Sequence, residues 1–353
     1  MNRAGPPASP LGALRRETPV PQRLIMLSRR FARSIPLLIV AALPGCDNVI
    51  WGGSDIQIVP PPPPQSAFRI ETDVRAFSEF GLPTAPVVFH LTEHDGSALL
   101  VPIGELGAEG IRPLRRPSDV SPEAFAARFR ETVVPVGGQF SVFRRGARVG
   151  TFTATGEGPI SRCGIPTVTG TTTVVAAAVG SSDYLAFREG LAPTVRGEYS
   201  PPQITGSIRT YASIVAERLI LQSGLPRPRS WPGAQRDLQA IEIMPGGHPE
   251  MATTYLVGDQ LAVGPADPEG YSVFYIADYE TQRGYQPIYS EVRDYRKVSP
   301  AAPRFVDYVD MDSDDSPEVV VEVFGPTQSW YDIISKRDGN WVKVLEGSAC
   351  GEG

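Results

Sequence analysis

The sequence predicts a mainly β protein made of two β-rich domains: a β-sandwich or barrel-like N-terminal domain with minor helices, and C-terminal blade-like antiparallel strands. Three observations predict it. The chain carries 35 glycines and 36 prolines in 353 residues, which punctuate turns and interrupt helices. The stretches between them are rich in Thr, Val and aromatic residues, which suit a pleated, half-buried surface. In the last third a weak repeat recurs at an offset of 56 residues: Tyr275 matches Tyr331, Tyr285 matches Trp341, and Ile288-Tyr289 matches Val344-Leu345. A period near 50 suggests β-blade units, although two copies are too few to close a propeller.

Residues 68–201 form the first expected domain, of unknown function. Val87–Leu91 reads as a strand. Ser121-Pro122-Glu123 is a helix start, with Ser as N-cap, Pro at the first helical position and an acid in the first turn. Phe125 and Phe129 then share one face, four residues apart. Phe140–Phe143 and Val149–Thr153 read as the strands of a hairpin turning at 144–148, and Thr171–Val179 as a further strand. Residues 202–237 are a helix and linker. Ile208, Tyr211, Ala212, Val215 and Leu219 repeat at helical spacing, and Gly224 followed by Pro226 marks the stop. Residues 238–353 are a strand series.

Ahead of these lies an extended N-terminal region. Arg29, Arg30 and Arg33 precede the apolar run Ile35–Leu43, followed by Leu43-Pro44-Gly45-Cys46. The run fits the roughly 7–15 apolar residues of a signal peptide and falls short of the ~20 needed to span a bilayer. This stretch resembles the lipobox of bacterial lipoproteins, with Pro44 as the one departure from the usual small residue. The resemblance implies cleavage before Cys46, lipidation of Cys46, acylation of the new amino terminus, and a membrane partner reached through that anchor at the bacterial cell envelope. Residues 1–46 are then leader and signal peptide, with Met26 an alternative start. Residues 47–67 are a tether ending in five prolines, Pro60–Pro64, which favour a semi-rigid polyproline II spacer.

Removing the leader leaves 26 basic and 38 acidic residues, a net charge of −12. So acidic a chain has no electrostatic reason to bind nucleic acid. Besides Cys46, only Cys163 and Cys350 remain; outside the cytoplasm they either pair as a disulfide or stay as two free thiols.

The chemical feature of the chain is Asp310-Met311-Asp312-Ser313-Asp314-Asp315-Ser316-Pro317-Glu318. Alternate carboxylates converge on one cation when such a loop curls, and hard oxygen ligands at this density suit Ca²⁺. The loop lacks the Glu at position 12 that an EF-hand needs, and strand-like segments flank it. Loop and flanks resemble the FG-GAP/VCBS repeat family, whose blades carry an acidic calcium loop between two strands. The resemblance implies side-chain ligands at Asp310, Asp312, Asp314 and Glu318 and a carbonyl ligand at Ser316. Asp315 stands where the family has its turn glycine, and the preceding unit lacks the acidic loop.

Catalytic signals are sparse. His90 and His94 could bind zinc only on a helix, and the residues before them argue for a strand. His248-Pro249-Glu250 lacks zinc-protease spacing, and neither a nucleophile elbow nor a phosphate-binding loop occurs. The expected function is therefore a binding or scaffold module for a protein or glycan partner, with twelve tyrosines available for an aromatic contact face. The alternative is a hydrolase of envelope polymers using a carboxylate pair.

Overall fold

The computed structural model describes residues 80–94, 97–161, 164–195, 197–244 and 247–347, all within one compact unit spanning Phe68–Gly353. The leader, Cys46, the proline tether, Cys163 and Cys350 lie outside the described residues. Among those described, 48% are in strands and 14% in helices, so the protein is mainly β.

The first sheet is a barrel. Its strands are β1 (Val87–His94), β2 (Ser97–Gly107), β3 (Gly110–Pro113), β4 (Gln139–Arg144), β5 (Ala147–Ile160), β6 (Pro166–Val174) and β7 (Asp183–Arg188). They run in the order β1-β7-β4-β5-β6-β2-β3, and β1 also pairs with β2. That pairing closes six strands into a ring, with β3 continuing outward from β2, and closure removes the unpaired edges an open sheet would expose. Phe89, Phe140 and Phe152 fill the interior edge to face, with ring centroids 5.4 and 5.9 Å apart. Gly170 makes room for them, since a Cβ there would lie 2.4 Å from the Phe152 ring.

The helix expected at Ser121 is α1 (Pro122–Thr132). The Ser121 hydroxyl accepts from the Ala124 N–H, and Phe125 and Phe129 are buried in the barrel's core cluster. The strand expected at 171–179 is instead β6, which starts earlier, and a single 3₁₀ turn occupies Ala176–Ala178. Pro166 opens that strand, where its missing N–H costs least.

Two four-stranded antiparallel meanders follow. The first comprises β8 (Gln235–Ile241), β9 (Glu250–Val257), β10 (Tyr271–Glu280) and β11 (Gly284–Asp294). The second comprises β12 (Ala302–Val309), β13 (Glu318–Phe324), β14 (Ser329–Arg337) and β15 (Asn340–Glu346). These are the blade-like units, and the 56-residue repeat maps onto them. Tyr275 and Tyr331 lie on the third strands, and Tyr285 and Trp341 on the fourth. The intervening turns hold Gly284 at φ 68° and Gly339 at φ 82°, a region that favours glycine.

The sheets stack in layers because their central strands are apolar on both faces. On β10, Tyr271, Val273 and Tyr275 face one way, against α2 (Gly206–Gln222), whose buried stripe is Ile208, Ala212, Val215 and Leu219. Phe274 and Ile276 point to the opposite face, the period-2 alternation of a strand, and meet Val319, Val321 and Ile334 of the second blade. Val320 and Ile333 on that blade's other face pack with Val88, Phe143, Leu185 and Phe187 of the barrel. The order is helix, first blade, second blade, barrel. Within the segment expected as a linker, the short helix α3 (Trp231–Ala234) is capped by Ser230. Trp231 sets its ring edge-on against Tyr255 at 5.9 Å.

Candidate metal centre

Residues 310–317 connect β12 to β13 and curl as the acidic pattern predicts. Asp310 organises the turn: its two carboxylate oxygens accept from the Asp314 and Asp315 N–H groups, each at 3.2 Å. Asp314 accepts from the Ser316 N–H at 2.8 Å. Asp315, in the family's glycine position, takes φ 65°, and Ser313 takes φ 62°; Asp tolerates this left-handed region better than most residues because its short side chain bonds locally. The result brings one carboxylate oxygen each from Asp310, Asp312 and Asp314 within 4.8 Å of one another. Asp310 is half-buried, while Asp312 and Asp314 are exposed.

Glu318 stands apart from this trio. It opens β13 fully buried, one oxygen accepting from the Met311 N–H at 2.8 Å and the other from the Ser335 hydroxyl at 2.9 Å. Desolvation pushes its carboxyl up to about 7. Ser316, the expected carbonyl ligand, is half-buried beside it. The positive charge nearest the loop is Arg337, at the end of β14. It donates to Asp312 and Asp314 at 3.1 Å each and approaches Glu318 at 3.6 Å.

The first blade repeats this construction without the central aspartates. Glu250 opens β9 buried, and one of its oxygens accepts from the Ile243 N–H at 2.9 Å, seven residues upstream. Glu318 and Met311 stand in the same relation. Glu242 therefore corresponds to Asp310, Pro249 to Pro317 and Glu250 to Glu318. Burial also raises Glu250 to about 7. The sequence signal for this pairing is the Pro-Glu dipeptide before each second strand. It is obscured because the 258–270 connection in the first blade is longer than 325–328 in the second, so one repeat carries two offsets.

The two loops meet at an open cleft. One compartment, of about 540 Å³, is lined by Arg145, Glu198, Glu242, Tyr308, Asp310 and Asp315, among others. A second, of about 420 Å³, runs along Met244, Gly247 and His248, and shares Glu242, Asp315 and Pro317 with the first. The barrel contributes the β4–β5 hairpin, whose two-residue turn is Arg145 at φ 50° and Gly146 at φ 72°, the sign pattern of a type I′ turn.

A buried polar junction fixes that hairpin. The Arg145 N–H donates to Asp307 at 2.9 Å, its guanidinium donates to Gln239 at 2.6 Å, and it lies 4.8 Å over the Phe305 ring. Arg144 pairs with the wholly buried Asp307 at 3.5 Å. Burial pushes the Asp307 carboxyl up, against the pull of Arg144 and Arg145. Next to these, Arg304 of the second blade holds both oxygens of the barrel's Asp183, at 2.9 and 3.0 Å, and reaches Glu322 at 2.7 Å.

His90 belongs to the same junction, not to a metal pair. It sits on a strand, 2.9 Å from Asp183 and 2.8 Å from the Tyr331 hydroxyl. His248 is exposed against the Tyr279 ring. The tyrosines do not form an aromatic contact face: all twelve are buried or half-buried, because most of them supply the blade cores. Among the described residues no helix is long and apolar enough to cross a membrane.

A scan against protein-family models and searches of curated proteins and of solved structures return no match. The likeness to FG-GAP/VCBS units therefore rests on the loop residues and the strands that flank them.

Proposed function

We propose that the chain is a lipid-anchored binding module of the bacterial cell envelope, carried on Cys46, in which Ca²⁺ on the 310–318 loop orders one wall of the cleft. The observation that carries this reading is the loop's position. It is not an isolated hairpin turn: Asp310 and Asp315 line the cleft together with the barrel hairpin and the matching loop of the first blade. Fixing the loop therefore fixes a surface.

The donor set fits calcium. Three carboxylates with oxygens within 4.8 Å of one another supply the hard ligands that Ca²⁺ takes at roughly 2.3–2.6 Å. Asp310, Asp312 and Asp314 would hold the ion, with the Ser316 carbonyl and Glu318 completing the set the resemblance implies. Bound there, the ion would neutralise the loop and stiffen the β12–β13 connection, a structural role that couples binding to stability.

Binding is favoured over carboxylate-pair hydrolysis because Glu198, Glu242 and Asp315 in the cleft are exposed, whereas a general acid is normally tuned by burial, and the half-buried Asp310 has both oxygens engaged by the loop's own N–H groups. With the tyrosines in the core, a protein or glycan partner would meet polar and charged groups. Two measurements test the reading. Mass spectrometry of the mature N-terminus should find an acylated Cys46; an unmodified terminus would remove the anchor. Incubation with purified cell-wall sacculi should give calcium-dependent co-sedimentation with no soluble fragments, whereas released fragments would favour the hydrolase.

A further inference from the structure

We infer that Arg337 is a built-in competitor for the cation of the 310–318 loop, so that calcium binds by displacing its guanidinium. The inference rests on the calcium reading above and adds to it what sets the site's affinity. The two-residue turn Asp338-Gly339, at φ 50° and 82°, holds Arg337 at the end of β14 facing the loop. Its two terminal nitrogens each donate to a different carboxylate, Asp314 and Asp312, at 3.1 Å. A third carboxylate, Glu318, lies 3.6 Å away.

The guanidinium thus bridges two of the three side chains that offer oxygens to one ion. It supplies the positive charge that four clustered acids would otherwise lack. A divalent ion drawn into the same oxygens would meet a fixed like charge at close range, and the electrostatic gain from either cation is lost if both stay. Arg337 has somewhere to go, since its side chain is 36% exposed and long enough to reach solvent. The loop therefore has two neutralised states, one closed by Arg337 and one by the metal. Population of the first reduces apparent calcium affinity by the fraction of molecules it occupies.

Calorimetric titration of the purified mature chain with calcium chloride alone tests this, comparing wild type with Arg337→Gln and Arg337→Lys. Removing the charge should tighten calcium binding at least tenfold. Lysine, which keeps the charge but loses the two-pronged geometry, should fall between. In chelator, Arg337→Gln should melt below wild type, because the acids lose their counter-charge, and the gap should close in calcium. That recovery also shows that the variant folds. Equal affinity in all three proteins, or weaker binding by Arg337→Gln, overturns the competition while leaving the calcium site standing. No heat of binding in any of them overturns both.

Discussion

Glu250→Gln isolates a penalty that the fold carries in the first blade, away from the acidic trio. Glu250 is buried at 3% exposure, and one of its oxygens accepts from the Ile243 N–H. Glutamine keeps an acceptor of the same shape but cannot ionise. In the folded protein burial raises the Glu250 carboxyl to about 7 from an ordinary 4.5. Folding therefore favours the protonated form. The associated stability is fully present below the unfolded value and is lost as pH rises through 7. Each pH unit separating the folded from the unfolded value corresponds to about 1.4 kcal/mol, so the full penalty is about 3 kcal/mol, of which about 2–3 kcal/mol develops between pH 5 and pH 8. Urea unfolding of wild type and Glu250→Gln at both pH values, in chelator so that the 310–318 loop is in the same metal-free state throughout, reads the difference. The variant should gain stability over wild type by that amount on going from pH 5 to pH 8. An identical difference at the two pH values would refute the claim that the carboxyl is held neutral by burial.

Further predictions concern the junction and the hairpin. Asp183→Asn breaks the two-pronged pair with Arg304 and the contact with His90, leaving a partly buried guanidinium with one carboxylate fewer; denaturant melts should show a loss of about 3–5 kcal/mol. Gly146→Ala should cost about 1–2 kcal/mol by the same assay, because φ is 72° and a Cβ would sit 3.1 Å from the Tyr308 ring.

The elements legible in the sequence are those whose signals are local. Ser121-Pro122-Glu123 specifies α1 through its capping hydroxyl, and the stripe Ile208–Leu219 specifies α2 through its period. The aromatic repeat pairs the third and fourth strands of the two blades but is one residue out of register: Tyr275 lies opposite Thr253, three residues past Glu250, and Tyr331 opposite Glu322, four past Glu318. Barrel closure is different. The dipeptide Asp95-Gly96 between β1 and β2 favours their hairpin, but closure also needs β1 to pair with β7, and no residue pattern near β1 specifies that partner. The polar junction is equally silent, since His90, Asp183, Arg304 and Asp307 are scattered along the chain and meet only after the second blade has packed against the barrel.

At the candidate site, the aspartates and the strained Asp315 are readable because the loop supplies its own geometry. Arg337 is not readable, because it reaches the loop across the sheet from β14. Nor is the matching Glu242–Glu250 loop. It has lost the aspartates that mark its counterpart and keeps only the buried glutamate and the preceding proline. The tyrosines mislead for a related reason: their number reveals nothing about which way they point, and the fold turns seven of them fully inward.

Calcium binding by the proposed 310–318 site is read by thermal unfolding of the wild-type chain in chelator and in millimolar calcium, with the Asp312→Asn, Asp314→Asn double variant alongside. Binding of the folded state alone would add about 2.7 kcal/mol at a calcium concentration 100-fold above Kd. Wild type should therefore melt several degrees higher in calcium than in chelator, and the double variant should show no such rise. A wild-type melting temperature unchanged between the two conditions would rule out the calcium site.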